Sequence, residues 1–229
     1  MSAIAENLKR VQDRVVMAAE RSGRSADAIT LIVVSKTWPA DVVQQAVEAG
    51  ALILGESRVQ EVEKKAGLVS GPVSWHLIGH LQRNKVRVAL SLFDIIHSVD
   101  SMRLAQEISR RAEQANMTAR VLVQVNSSGE DSKYGVPPDG ALDLVGQISE
   151  LDHVKIEGLM TIGAFVADPE NARPNFVALR KVRDHIATER PHISMQILSM
   201  GMTNDFEVAI EEGATMVRVG TAIFGRRAV

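Results

Sequence analysis

The chain has 229 residues, 45% of them hydrophobic, with 26 basic and 28 acidic side chains and no cysteine. That length suits one α/β barrel as a single domain. The net charge of −2 gives no general attraction to nucleic acid, and the lack of cysteine excludes disulfides and thiolate metal sites.

The N-terminal segment sets Ile4, Leu8, Val11, Val15 and Ala18 among charges, which predicts an amphipathic helix ended near Gly23 and not a signal peptide. No apolar run approaches the roughly 18 residues of a membrane span, and a reducing cytoplasm is the expected compartment. From there a unit repeats: a short β-branched run, a polar or glycine-bearing end, then a helical segment. Strands are expected at 31–35, 52–55, 75–79, 95–99, 121–126, 154–160, 195–200 and 216–220. Helices are expected at 40–49, 58–68, 81–92, 102–116, 140–150, 170–189 and 205–212, with Gly50 and Gly213 in C-terminal cap positions. Eight strands joined by helical crossovers, with no break in composition, predict a single (β/α)8 TIM barrel over 1–229 with an extra leading helix. An open doubly wound sheet is the alternative, although no G-x-G-x-x-G follows any strand.

In such a barrel the residues just after the strands share one mouth, here Lys36, Glu56, His80, Asp100, Asn126, Thr161, Ser199 and Arg218. Lys36 ends the apolar run LIVVSKTWP and is expected to be a buried amine, since an ammonium seldom closes a hydrophobic strand. Desolvation would make it a nucleophile toward aldehydes. SMGMTND offers Ser199, Gly201 and Thr203 before one helix, and RVGTAIFG offers Gly220 and Thr221 at the start of another. Loops after strands seven and eight are the usual phosphate site of this fold, though the same residues serve as ordinary caps and turns. An amine with a phosphate cradle fits pyridoxal 5′-phosphate (PLP), held as an imine on Lys36 with its phosphate at Ser199, Gly220 and Thr221. Arg218 would then meet the pyridine nitrogen and weaken the ring as an electron sink.

The segments VVSKTWP, LGESRVQE, WHLIGHLQRNK, IHSVDS, VNSSGEDSKYG, GLMTIG, SMGMTNDF and VRVGTAIFG together resemble the pyridoxal phosphate homeostasis protein family, itself similar to the N-terminal barrel of alanine racemase. The resemblance implies a cytoplasmic PLP-binding barrel without established turnover. It places Lys36 as the imine lysine, Ser199, Gly220 and Thr221 around the phosphate and Arg218 near the ring nitrogen. Two positions depart from the family pattern: Ser57 stands where asparagine is usual, and Thr203 replaces a serine.

Other candidates have plainer readings. His76 and His80 straddle a strand end, which argues against shared metal ligation; His76 reads as a satisfied interior histidine. Gln82, Asn84 and Lys85 open a helix where Lys85 serves either a second anion or a solvated face. Asp100 and Ser101 read first as an N-cap. In the long loop NSSGEDSKYGV, Lys133 is the rival imine lysine, ranked lower because a loop position leaves it hydrated, and Tyr134 is the chain's one tyrosine. The leading expectation is a non-catalytic monomeric PLP carrier with PLP-dependent apoenzymes as recipients and no nucleic-acid or membrane partner. The alternatives are an amino-acid racemase, which needs a group on each face of the cofactor, and a phosphosugar-type barrel enzyme that forms imines with its substrate.

Overall fold

In the computed structural model, which describes residues 2–130 and 133–226, the β-branched runs form β1 (Thr30–Val34), β2 (Ile53–Glu56), β3 (Ser74–Leu77), β4 (Ile95–Val99), β5 (Ala119–Gln124), β6 (Val154–Met160), β7 (Ile197–Met202) and β8 (Met216–Val219). All are parallel, and they close in chain order, β8 returning to β1 through Thr30↔Met216, Leu31↔Val217, Ile32↔Arg218 and Val33↔Val219. That closure rules out the open sheet. Strands buried on both faces read as near-continuous apolar runs, and every residue of β4 is buried.

The helices are α1 (Ala3–Arg21), α2 (Ala40–Glu48), α3 (Val59–Lys65), α4 (Val86–Leu92), α5 (Met102–Gln114), α6 (Ala141–Ser149), α7 (Arg173–Glu189), α8 (Phe206–Glu211) and α9 (Thr221–Phe224). Two expected helices open differently: that at 170–189 starts as the 3-10 turn Pro169–Ala172 before α7, and that at 81–92 as the 3-10 turn Arg83–Lys85, becoming α-helical only at Val86. Asn84 competes poorly for helical backbone. The leading helix α1 packs on the outside through Leu8, Val11, Val15 and Ala18. Asn7 Nδ2 donates to the Ile223 carbonyl, Arg14 pairs with Glu207, and Arg24 Nη1 donates to the carbonyls of Ile210 and Ala214. It therefore braces α8 and α9, the two helices that follow the expected phosphate loops.

Side chains alternate along each strand, which splits the core in two. The larger part lies between strands and helices, while Ile32, Ile95, Leu122, Met160 and Met216 form a second cluster joined by Ile53, Ile162 and Ile197. This is an apolar plug inside the barrel, and what stands above it is polar. Among the described residues no helix is long and apolar enough to cross a membrane.

Candidate functional site

Above the apolar plug the inward-facing positions carry Arg218, Ser199, His97 and His76, all buried. Arg218 Nη1 donates to Ser199 Oγ at 2.7 Å and Nη2 to the Thr161 carbonyl at 2.8 Å. His97 Nδ1 lies 3.0 Å from the same Ser199 oxygen, and His97 Nε2 lies 3.1 Å from His76 Nδ1. A guanidinium only donates, so Ser199 Oγ accepts from it, and hydrogen bonds continue from Ser199 to His97 and from His97 to His76. Burial holds His97 well below its ordinary value, and the Arg218 charge, like any proton taken up by His76, pushes the same way. Burial likewise lowers His76 to about 4. The chain leading from Arg218 is therefore neutral, and the guanidinium is its one charge. Burial also lowers Arg218, to about 10, with Asp205 opposing, so it stays protonated at neutral pH.

Ser199, expected at the phosphate, has its hydroxyl engaged by Arg218 and His97 inside the barrel. The reading of His76 as an interior, hydrogen-bonded histidine agrees with its position. His97 was not singled out, although its place two residues after Ile95 in an apolar strand was a signal.

Lys36 is exposed, not buried. β1 ends at Val34, Ser35 N–H still bonds Gly55, and the chain then turns through Thr37 at φ 68. Lys36 thus lies two residues past the last paired strand position, Val34. The registers Val33↔Val219 and Val34↔Gly55 set the strand ends carrying Lys36, Ser57, Gly220 and Thr221 side by side. Thr203 joins them through a long 3.4 Å hydrogen bond from Gly220 N to its Oγ1. Thr221 is exposed at the first position of α9, and Ser57 is half-buried. The arc β7, β8, β1, β2 thus gathers most of the expected set. Packing alone already calls for glycine at 201 and 220. A Cβ on Gly201, at φ +91, would lie 2.6 Å from Ala209 Cβ, and one on Gly220 would lie 3.0 Å from the Val34 carbonyl.

A buried amine does exist, and it is Lys65. Its Nζ lies 2.6 Å from Glu56 Oε1, 3.5 Å from Glu61 Oε2 and 2.9 Å from the Ser35 carbonyl. Glu56 therefore faces α3 and not the mouth, with Ser35 Oγ donating to its Oε1 at 2.8 Å. Burial holds the Glu56 carboxyl above its ordinary value despite Lys65 and Ser35. Burial pushes Glu61 up as well, yet the Thr37 N–H and Lys65 prevail and hold it below.

The far side of the mouth is tied together separately. Lys133 is not the hydrated side chain expected; only 18% exposed, its Nζ bonds Glu130 at 2.6 Å and the Gly163 carbonyl at 2.9 Å. Thr161 Oγ1 and Ser127 Oγ meet at 2.8 Å, and Asn126 Nδ2 donates to the Glu130 carbonyl. Tyr134 stacks on His80 at 4.0 Å between ring centres, and His80 Nδ1 stands 3.7 Å from Asp100 Oδ2. Ser101 is the N-cap residue of α5 but makes no side-chain cap bond. Lys85 is half-buried, and Gln82 and Asn84 are exposed. No cluster of three or more potential metal ligands occurs among the described residues.

The alanine racemase N-terminal domain family matches residues 1–228. The pyridoxal phosphate homeostasis protein of Aquifex aeolicus is 44% identical over 97% of this chain and 97% of its own length. The protein of the same name from Escherichia coli K12 is 41% identical over 99% and 98%. Among solved structures, PipY of Synechococcus elongatus with PLP bound superposes at a TM-score of 0.84 and 35% identity, over 97% of this chain and all of that one.

The neutral histidine chain predicts how stability varies with pH. Unfolded histidines take up protons near 6.5, whereas His76 in the fold does so only near 4 and His97 well below its ordinary value. Their contribution is complete above about pH 6.5 and is lost as pH falls, by up to about 1.4 kcal/mol per pH unit for each histidine. Glu56 and Asp205, both raised by burial, act with the opposite sign, so the comparison with a variant isolates the histidines. Urea midpoints for the wild type and His76→Gln should show the wild type losing stability from pH 7 to pH 5 and the variant losing distinctly less. Parallel curves would mean that His76 is not held neutral.

Proposed function

The chain belongs to the pyridoxal phosphate homeostasis protein family, and we propose that it is a cytoplasmic PLP carrier that holds the cofactor reversibly on Lys36. The observation that carries this reading is the pairing of an exposed amine on the rim with a buried, protonated guanidinium beneath it on the neighbouring strand. PLP presents matching groups: an aldehyde for an amine, a pyridine nitrogen for a donor, and a phosphate for hydroxyl and amide donors. Lys36 Nζ attacks the aldehyde carbon, and water leaves as the imine forms. Because Lys36 stands in solvent, the reverse hydrolysis is open to water as well, which suits loading and release.

Arg218, protonated at neutral pH, donates toward the pyridine nitrogen and disfavours its protonation, so the bound ring is a weak electron sink. Thr221, the amides at the start of α9 and Thr203 receive the phosphate, with Ser57 beside Lys36. The role of Ser199 is then to hold Arg218. This assignment favours a carrier over a racemase, as do the names of the relatives. Tyr134, the one tyrosine in the sequence and so the one opposite-face tyrosine acid, is stacked on His80. The carrier acts as a monomer and supplies PLP-dependent apoenzymes.

Borohydride reduction of the PLP-loaded protein followed by peptide mapping should place the adduct on Lys36, and Lys36→Ala should lose the imine absorbance. An adduct mainly on Lys133 would overturn the assignment.

Phosphate and ring contacts separate by ligand. A hydrogen bond to a charged group contributes about 1.5 to 3 kcal/mol, so Thr221→Ala should weaken PLP at least about tenfold while sparing unphosphorylated pyridoxal. Ser199→Ala, acting through Arg218, should weaken both ligands alike. Equal losses for Thr221→Ala with the two ligands would show that Thr221 does not read the phosphate.

A further inference from the structure

We propose that Glu61 and Lys65 of α3 are positioning residues that clamp the backbone on both sides of Lys36 and so fix where its amine stands. Resting on the assignment of Lys36 as the imine lysine, the inference gives function to a buried cluster that touches no cofactor-binding side chain. Glu61 and Lys65 lie one helical turn apart on the same face of α3. Lys65 Nζ donates to the carbonyl of Ser35, the residue before Lys36, at 2.9 Å, and Glu61 Oε2 accepts the N–H of Thr37, the residue after it, at 2.5 Å. The peptide groups flanking Lys36 are thus each held by one charged side chain.

Thr37 shows why a clamp is needed. At φ 68 this β-branched residue occupies the left-handed region, a strained conformation that persists only where surrounding contacts over-determine it. The bond from Glu61 fixes the peptide at that point, and Lys65 is itself anchored by Glu56, whose Oε1 also accepts from Ser35 Oγ. A buried Lys–Glu pair adds little stability compared with a well-packed apolar pair, whereas it can specify one backbone arrangement. Here the arrangement specified is the turn that carries Lys36.

Glycine adopts a positive φ without steric cost, which supplies a test that a merely structural role would not pass. Imine formation is titrated with PLP by its absorbance in the wild type, Glu61→Ala, Thr37→Gly and Thr37→Gly/Glu61→Ala, with melting temperature recorded for each. Glu61 is partly exposed at 21%, and Glu61→Ala is expected to fold and to weaken imine formation about tenfold or more as Thr37 leaves the left-handed region. The double variant should recover most of that loss, because glycine at 37 keeps the turn without help. Should Glu61→Ala fail to fold, Glu61→Leu, which keeps the bulk but cannot accept the Thr37 N–H, replaces it in the same cycle with the same expectations. Wild-type titration by Glu61→Ala, or a loss that Thr37→Gly does not recover, would overturn the clamp. A wild type that forms no imine on Lys36 would instead overturn the carrier assignment, and the clamp with it.

Discussion

A guanidinium enclosed in a barrel must find every partner inside, and the composition of the upper barrel follows from that need. Removing an unpaired charge from water costs far more than any single contact returns. Arg218 is therefore met by the Ser199 hydroxyl and the Thr161 carbonyl. The next groups out, His97 and His76, are held neutral by burial, so no second cation competes for the same space. Beneath them Ile32, Ile95, Leu122, Met160 and Met216 fill the barrel. The apolar layer supplies burial, and the polar layer sets a fixed positive charge facing the mouth.

A second buried cation shows the same rule with a different outcome. Lys65 lies outside the barrel wall, between β2 and α3, and is satisfied by Glu56, Glu61 and the Ser35 carbonyl. Arg218 is hydrogen-bonded only to neutral groups, with Asp205 acting on it from further off, whereas Lys65 meets two carboxylates and spends its field on the backbone. The first arrangement suits recognition and the second suits rigidity. Lys36 stands between them, exposed, with both neighbouring peptide groups tied down.

The barrel was legible because eight apolar runs alternate with helical patterns, and β4 and β6 coincide with the expected 95–99 and 154–160. Strand ends were less so, since hydrophobicity shows which residues pair with a wall but not how high the last one stands. That is how Lys36 came to be expected in the interior. Lys65 was not singled out, standing as it does in a run of charges with Glu61, Glu63 and Lys64. Yet Lys65 follows the buried Val62 by three residues and Val59 by six, which places it on the buried side of α3. Gly201 and Gly220 show a different limit of the sequence. A glycine that admits a phosphate and one that admits α8 or β1 look identical in sequence, and only the neighbouring atoms distinguish them.

Reversible holding of a cofactor requires two properties that usually conflict: a reacting group placed accurately, and a bond that water can reach. Enzymes that use such a bond for turnover gain from excluding water, because charges developing in the transition state are then stabilised by fixed dipoles. Here accuracy is supplied from beneath the rim, by the Glu61 and Lys65 contacts and the strained turn at Thr37. The Lys36 residue itself is exposed, and on the proposed function that is where an imine would be made and hydrolysed. Accuracy that comes from the backbone does not depend on enclosing the side chain. The division of labour between a dry, charged floor and a wet, fixed rim is what favours storage and release over catalysis in this barrel.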